Sequence, residues 1–119
     1  MNTPHLLVIG GTGFIGHHLL KASLQKRWQV SSVSLNPPTK NRFVKGVRYL
    51  HLDLTDRLLV KESLGECFDY VVNLGGYINH QLFRDGGRSL IEIHFTALQN
   101  LLEVLSRRKL KRFVQIGSS

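Results

Sequence analysis

Short apolar runs alternate along the chain with stretches whose apolar residues recur every three or four positions. HLLVIG (5–10) is an unbroken apolar run ending in glycine, the pattern of a buried strand. Phe14 to Lys26 has helical spacing, with Phe14, Ile15, Leu19 and Ala22 on one side and Lys21, Gln25 and Lys26 polar. WQVSSVSL (28–35) predicts a second strand in which Trp28, Val30 and Val33 are separated by small polar residues. NPPTKNR (36–42) reads as a loop, because paired prolines donate no ladder hydrogen bonds. VRYLHLDL (47–54) predicts a third strand, and TDRLLVKESL (55–64) a short helix with Thr55 or Asp56 as its N-cap. FDYVVNLGG (68–76) predicts a fourth strand entering a Gly-Gly turn, followed by a polar loop over 77–87. From about Gly87 to Arg108 a wide apolar face that includes Leu90, Phe95, Leu98, Leu101 and Leu105 predicts a long helix. KRFVQIG (111–117) is the fifth strand.

Strands joined by helical crossovers imply a parallel sheet with helices on both faces. Right-handed crossovers then favour an α/β, doubly wound sheet with strand order 3-2-1-4-5, formed by one domain over 1–119. Such a sheet binds ligands beyond the strand C-termini at the switch point, here between the first and fourth strands.

Composition narrows the function classes. At 119 residues, 42% apolar and 20% charged, the chain has enough apolar content for one core without disulfides or metal. The lone cysteine, Cys67, cannot form an internal disulfide, which fits a reducing compartment. It also excludes a cysteine zinc cluster, and the adjacent His17 and His18 point about 100° apart on a helix, a poor ligand pair. No signal peptide or membrane span is legible, so the expectation is a soluble cytoplasmic protein. The net charge of +8 raises a nucleic-acid reading. Much of it lies in Arg107, Arg108, Lys109, Lys111 and Arg112, at the end of the long helix, where cations suit the macrodipole. Without interleaved aromatic residues the cluster reads as a solvated helix end, and no nucleic-acid partner is expected.

The strongest local signal is VIGGTGFIGHHLL (8–20), in which Gly10, Gly13 and Gly16 follow a strand and open a helix. Gly10 permits a backbone turn closed to other residues. Gly13, lacking a Cβ, lets a pyrophosphate approach, and Gly16 allows close packing of helix on strand. The helix N–H groups and dipole, at Phe14 and Ile15, then face the phosphates.

GGTGFIG resembles the fingerprint of the extended short-chain dehydrogenase/reductase family, which includes NAD-dependent nucleotide-sugar epimerases and dehydratases, and the fold it implies is Rossmann-type. Later segments are similar in order: Asp53-Leu54 in HLDLTD, Leu74-Gly75-Gly76 in VVNLGG, HFTALQNLLEV (94–104) and KRFVQIGSS (111–119). The resemblance implies that Asp53 and Leu54 contact the adenine and that Leu74, Gly75 and Gly76 line the cofactor. The chain departs from the long-helix motif at His94, where the family has asparagine, and at Ala97-Leu98, where it has glycine-threonine. A carboxylate at the end of the second strand would bind the ribose 2′-OH of NAD, but Ser34 stands there, with Leu35 and Asn36 next. Asn36 could bond a 2′-OH, while Lys40 and Arg42 permit the 2′-phosphate of NADP, so the cofactor is NAD or NADP.

The resemblance further implies a tyrosine with a lysine four residues on as acid/base, and a serine or threonine at the tip of the fifth strand. Ser119, and less directly Ser118, match that hydroxyl. Tyr49, Tyr70 and Tyr77 are followed four residues later by Asp53, Leu74 and Gln81, so none supplies the pair. The expectation is the cofactor-binding half of an NAD(P)-dependent epimerase, dehydratase or reductase acting on a nucleotide sugar. As a fragment it should bind dinucleotide weakly or not at all, and not turn over. The alternative is a non-catalytic member that holds NADP as a structural or sensing cofactor. The apolar surface of 87–108 would suit a homodimer, or simply packing on the sheet.

Overall fold

The structure, a computed structural model, describes residues 3–11, 13–34, 37–64, 68–74, 88–105 and 110–115, with the backbone alone for 88–95 and 115. Strands β1 (His5–Ile9), β2 (Gln29–Ser34), β3 (Arg48–His51), β4 (Tyr70–Asn73) and β5 (Arg112–Gln115) form one sheet in the order β3-β2-β1-β4-β5. Every pairing is parallel, as the strand–helix alternation predicts. Helices α1 (Phe14–Gln25), α2 (Arg57–Ser63) and α3 (Arg88–Leu105) lie between β1 and β2, β3 and β4, and β4 and β5, while β3 follows β2 with no helix among the described residues.

Strand β1 is apolar throughout because alternate side chains enter two different cores. Leu6 and Val8 pack with Leu20 of α1, Val30 and Val47. Leu7 and Ile9 pack with Val33, Val71, Val60 and Leu64 near α2, and with Leu101 and Leu105 of α3. Strand β2 fills its share of both faces with small residues, and Ser31, Ser32 and Ser34 are all buried. Ser31 Oγ meets His5 Nε2 at 2.9 Å, whereas the Ser32 hydroxyl finds no hydrogen-bond partner among the described residues.

Of the apolar side expected for α1, Leu19 packs, partly buried, against the core, while the rest does not. Its buried residues are Gly16, Leu20 and Ser23, at i, i+4 and i+7. Phe14 and Ile15 are 66% and 64% exposed, and Ala22 is exposed too. Leu20, flanked by Leu19 and Leu24, packs on the core between α1 and the sheet, and at Gly16 the helix backbone comes close to the glycine loop. It ends in a Schellman motif: Arg27 takes a left-handed φ of 64°, with Arg27 N–H donating to the Leu24 carbonyl and Trp28 N–H to that of Ser23.

On the opposite face, α2 begins at Asp56, whose carboxylate accepts the Leu59 N–H at 3.1 Å, which settles the cap between Thr55 and Asp56. Helix α3 buries Ala97, Leu101, Val104 and Leu105. Arg57 of α2 donates to the Glu103 carboxylate of α3, a surface pair worth at most about 1 kcal/mol. A stronger tie is Asn100. It is buried, and its Nδ2 donates to the Leu54 carbonyl at 2.9 Å, fastening α3 to the turn after β3.

Asn100→Leu removes that donor and leaves the Leu54 carbonyl buried without it. The variant should lose about 1–3 kcal/mol of unfolding free energy, read as a lower urea midpoint at unchanged m-value.

Candidate functional site

The strand register brings the ends of four strands to one edge of the sheet. Ile9 lies opposite Val33 on one side and Asn73 on the other, and Ser34 lies opposite His51. One residue beyond each strand, Gly10 N–H donates to the Val33 carbonyl, Leu74 N–H to that of Ile9, and Leu52 N–H to that of Ser34. Gly10, Ser34, Asp53 and Leu74 therefore stand within two residues of a common C-terminal edge. Helix α1 starts from that edge on one face of the sheet, while α2 and α3 cover the other. This is the switch point of the order 3-2-1-4-5.

The glycines divide the work of the loop between them. Gly10 takes a φ of 87°, the left-handed turn the sequence calls for. Gly16 is needed for contact, but with the loop rather than the strand: a Cβ there would lie 2.5 Å from Gly11 Cα and 2.7 Å from the Gly10 carbonyl oxygen. Gly11, which the motif spacing passes over, is constrained as tightly. Its Cβ would fall 2.3 Å from Ser32 Oγ. The Gly10-Gly11 pair was the available signal, and the small residue beneath it on β2 is what makes it necessary.

Gly13 differs from these. It is the N-cap of α1 in an extended conformation, and a Cβ there would be 3.6 Å from the Gly10 carbonyl oxygen, an ordinary contact. Nothing in the fold demands glycine at this position. The space it leaves open lies at the start of α1, where the first-turn N–H groups have no side-chain cap among the described residues. That first turn carries no acidic residue. A helix start left open and uncharged, beside a position stripped of its side chain, fits an anionic group such as a pyrophosphate. Phe14 and Ile15 sit at this mouth as large exposed apolar side chains.

The remaining candidates occupy different depths. Asp53 is exposed, and its Oδ1 accepts the N–H of Thr55 at 2.9 Å and the Thr55 hydroxyl. Leu54 is 2% exposed with its side chain in the core, so any contact with an adenine falls to its backbone. Leu74 is partly buried against the α1-side core. Ser34 is buried at the tip of β2. Asn36, Gly75, Gly76, Ser118 and Ser119 lie outside the described residues. Among the described residues no group of three His, Cys, Asp or Glu could hold a metal ion, and no helix is long and apolar enough to cross a membrane.

The sequence matches the NAD dependent epimerase/dehydratase family over residues 6–119. No curated protein matches it. Among solved structures it is similar to the UDP-glucose 4-epimerase of Thermus thermophilus in complex with NAD, at 26% identity and a TM-score of 0.68, covering 84% of this chain and 33% of that one. The UDP-glucose 4-epimerase of Bifidobacterium longum in complex with NAD+ and UDP matches at 21% identity and a TM-score of 0.78, covering 97% and 37%. An epimerase of Methanothermobacter thermautotrophicus matches at 22% identity and a TM-score of 0.78, covering 99% and 36%. The chain thus spans about a third of the length of these proteins.

The contrast between the glycines is measurable. Gly16→Ala drives a methyl into loop backbone and should cost at least about 2 kcal/mol, despite the better helix propensity of alanine. Gly13→Ala should cost less than about 1 kcal/mol, the scale of a helix cap. Equal losses in chemical denaturation would contradict this division.

Proposed function

The chain belongs to the NAD dependent epimerase/dehydratase family, and from that premise we propose that residues 1–119 form the dinucleotide-binding portion of an enzyme acting on a nucleotide sugar. The reaction class is epimerisation, dehydration or reduction. The observation that carries this reading is the open space at Gly13 beside the uncapped start of α1, at the switch point of the sheet.

In this reading the N–H groups of Phe14, Ile15 and Gly16 hold the pyrophosphate, which approaches over Gly13. Asp53 and the backbone of Leu54 meet the adenine, and Ser34 and Asn36 meet its ribose. Leu74, Gly75 and Gly76 line the half of the groove toward β4. The dinucleotide, when bound, supplies hydride transfer at its nicotinamide. Ser119, with Ser118 as the neighbouring candidate, holds the reacting oxygen of the substrate by a hydrogen bond. Proton transfer in such chemistry calls for a tyrosine whose acidity is raised by a nearby lysine. Tyr49, Tyr70 and Tyr77 lack that lysine, so residues 1–119 bind cofactor without turning substrate over. The nucleotide-sugar assignment draws on the UDP-glucose 4-epimerases among the structural neighbours. A homodimer through α3 is part of the same reading, and Leu102, exposed on that helix, belongs to the surface it would use.

Calorimetric titration tests the reading directly. The 119-residue chain should bind a nicotinamide dinucleotide, weakly. Gly13→Ala should lower that affinity by about tenfold or more while the fold stays intact, since each 1.4 kcal/mol of lost phosphate contact is tenfold. A folded chain that binds no dinucleotide, or a Gly13→Ala variant that binds as well as the parent, would overturn it.

A further inference from the structure

We infer that the cleft between α1 and strands β4 and β5 binds a small amphipathic carboxylate, a compact apolar body carrying one anionic group. The glycine loop takes no part in this cleft, so the inference stands apart from the dinucleotide reading above. A parallel sheet is ordinarily covered on both faces. On one face α2 and α3 pack over the core. On the other, α1 packs on β1 and β2, and beside it lies a cleft of about 300 Å3. Leu6, Tyr70, Val72 and Val114 of the strands form its floor, and Leu19 and Ala22 of α1, with Trp28, form its wall.

The two ends of the cleft are unlike. Helix α1 returns from the strand ends to the strand starts, so its last turn lies beside the starts. Lys26, its C-cap, and Arg112, the first residue of β5, both line the cleft at that end. Tyr70, opposite Arg112 in register, stands there too, its ring stacked on Trp28 at 5.3 Å. Val72 and Val114, two residues further along their strands and paired with each other, make the other end apolar. The Ser23 hydroxyl, also in the lining, is turned to its own helix and donates to the Leu19 carbonyl at 2.9 Å.

Charge decides what this cleft admits. No Asp or Glu lines it, and none occurs in the 52 residues before Asp53, which supply α1, β1 and β2. Asp69, beside Tyr70 in the chain, is engaged elsewhere: its Oδ2 accepts the His5 N–H at 2.8 Å and its Oδ1 lies 3.8 Å from Lys111 Nζ. The C-terminal end of α1 opposes an anion with a partial charge of about half a unit, against two full cations. Lys26 and Arg112 are exposed, so meeting a carboxylate costs them little desolvation. A second copy of the chain would bring its own cations to the same surface and be repelled. At about 30 Å3 for each water-sized group, the cleft holds roughly ten methylene-sized groups, the body of a short fatty acid.

Trp28 is the one tryptophan of the chain, so its emission reports on this cleft. The test is titration of the 119-residue chain with decanoate, decanol and decyltrimethylammonium, each below its micelle-forming concentration, followed by that emission. Decanoate should shift it saturably and bind about tenfold or more tighter than decanol, as a charge-assisted contact implies, with decyltrimethylammonium the weakest. A Lys26→Ala/Arg112→Ala variant should lose that preference while decanol affinity stays within about twofold, since both residues are exposed and outside the core. Ala22→Phe, which puts a ring into the cleft from an exposed helix position, should weaken all three ligands. Decanol binding as tightly as decanoate, a charge variant that keeps the preference, or an Ala22→Phe variant that binds decanoate unchanged would overturn the inference. So would a folded chain with no saturable shift, or an emission that moves with protein concentration in the absence of ligand, the mark of a second copy in the cleft.

Discussion

The missing side chain at Gly16 is the constraint on which the site depends. With its helix backbone in contact with Gly10 and Gly11, α1 has to begin directly over the glycine loop. That placement sets the stripe Gly16-Leu20-Ser23 on the sheet. It also requires Gly11 to sit over β2 with a small residue, Ser32, beneath it. Small residues on α1, on the glycine loop and on β2 serve one end, which is to bring the helix N-terminus to the sheet edge. A larger side chain at Gly11, Gly16 or Ser32 would push the helix start outward and with it the N–H groups that make the edge receptive to an anion.

The other face of the sheet holds its own turn in place by different means. There the cores of α2 and α3 meet β1, β2 and β4 through large apolar side chains, and a buried polar contact adds specificity. Asn100 binds the Leu54 carbonyl and so fixes the backbone that carries Asp53 at the sheet edge. Asp53 in turn holds Thr55 and leads into the helix capped by Asp56. The adenine side of the proposed site is thus positioned by a hydrogen-bond chain, and the phosphate side by close packing. The two cores are separate clusters that share only the strands between them.

Much of this was legible in sequence where periodicity and glycine spacing act locally. The strand order, the eight elements and the turn at Gly10 all follow from residues close in the chain. What escaped was set by contacts between distant segments. Phe14 and Ile15 fit an apolar helical side yet are exposed, because apolar residues at the mouth of a site mimic core residues in any periodicity argument. Ser31, Ser32 and Ser34 look like half-exposed strand positions and are buried, Ser32 beneath Gly11 on the α1 face and Ser31 beside His5 on the other. Asn100 gave no sign of burial, since its partner is a backbone carbonyl 46 residues away. Gly11 fell outside the motif because its reason for being glycine lies on β2.

The same distinction explains why cofactor preference could not be settled from spacing alone. A missing carboxylate after β2 is visible in the sequence, but absence of an acid is compatible with either ribose. The two sides of the sheet edge also differ in what holds them. In the glycine loop, Gly10 is fixed by its left-handed turn, and Gly11 and Gly16 by close contacts, whereas Gly13 meets only an ordinary one. The loop before β3 is held instead by hydrogen bonds between distant residues: His17 reaches across 25 residues to the Arg42 carbonyl, and the Tyr49 hydroxyl accepts the Val44 N–H. A substitution at Gly13 can therefore change what the helix start admits without disturbing the packing that places the helix.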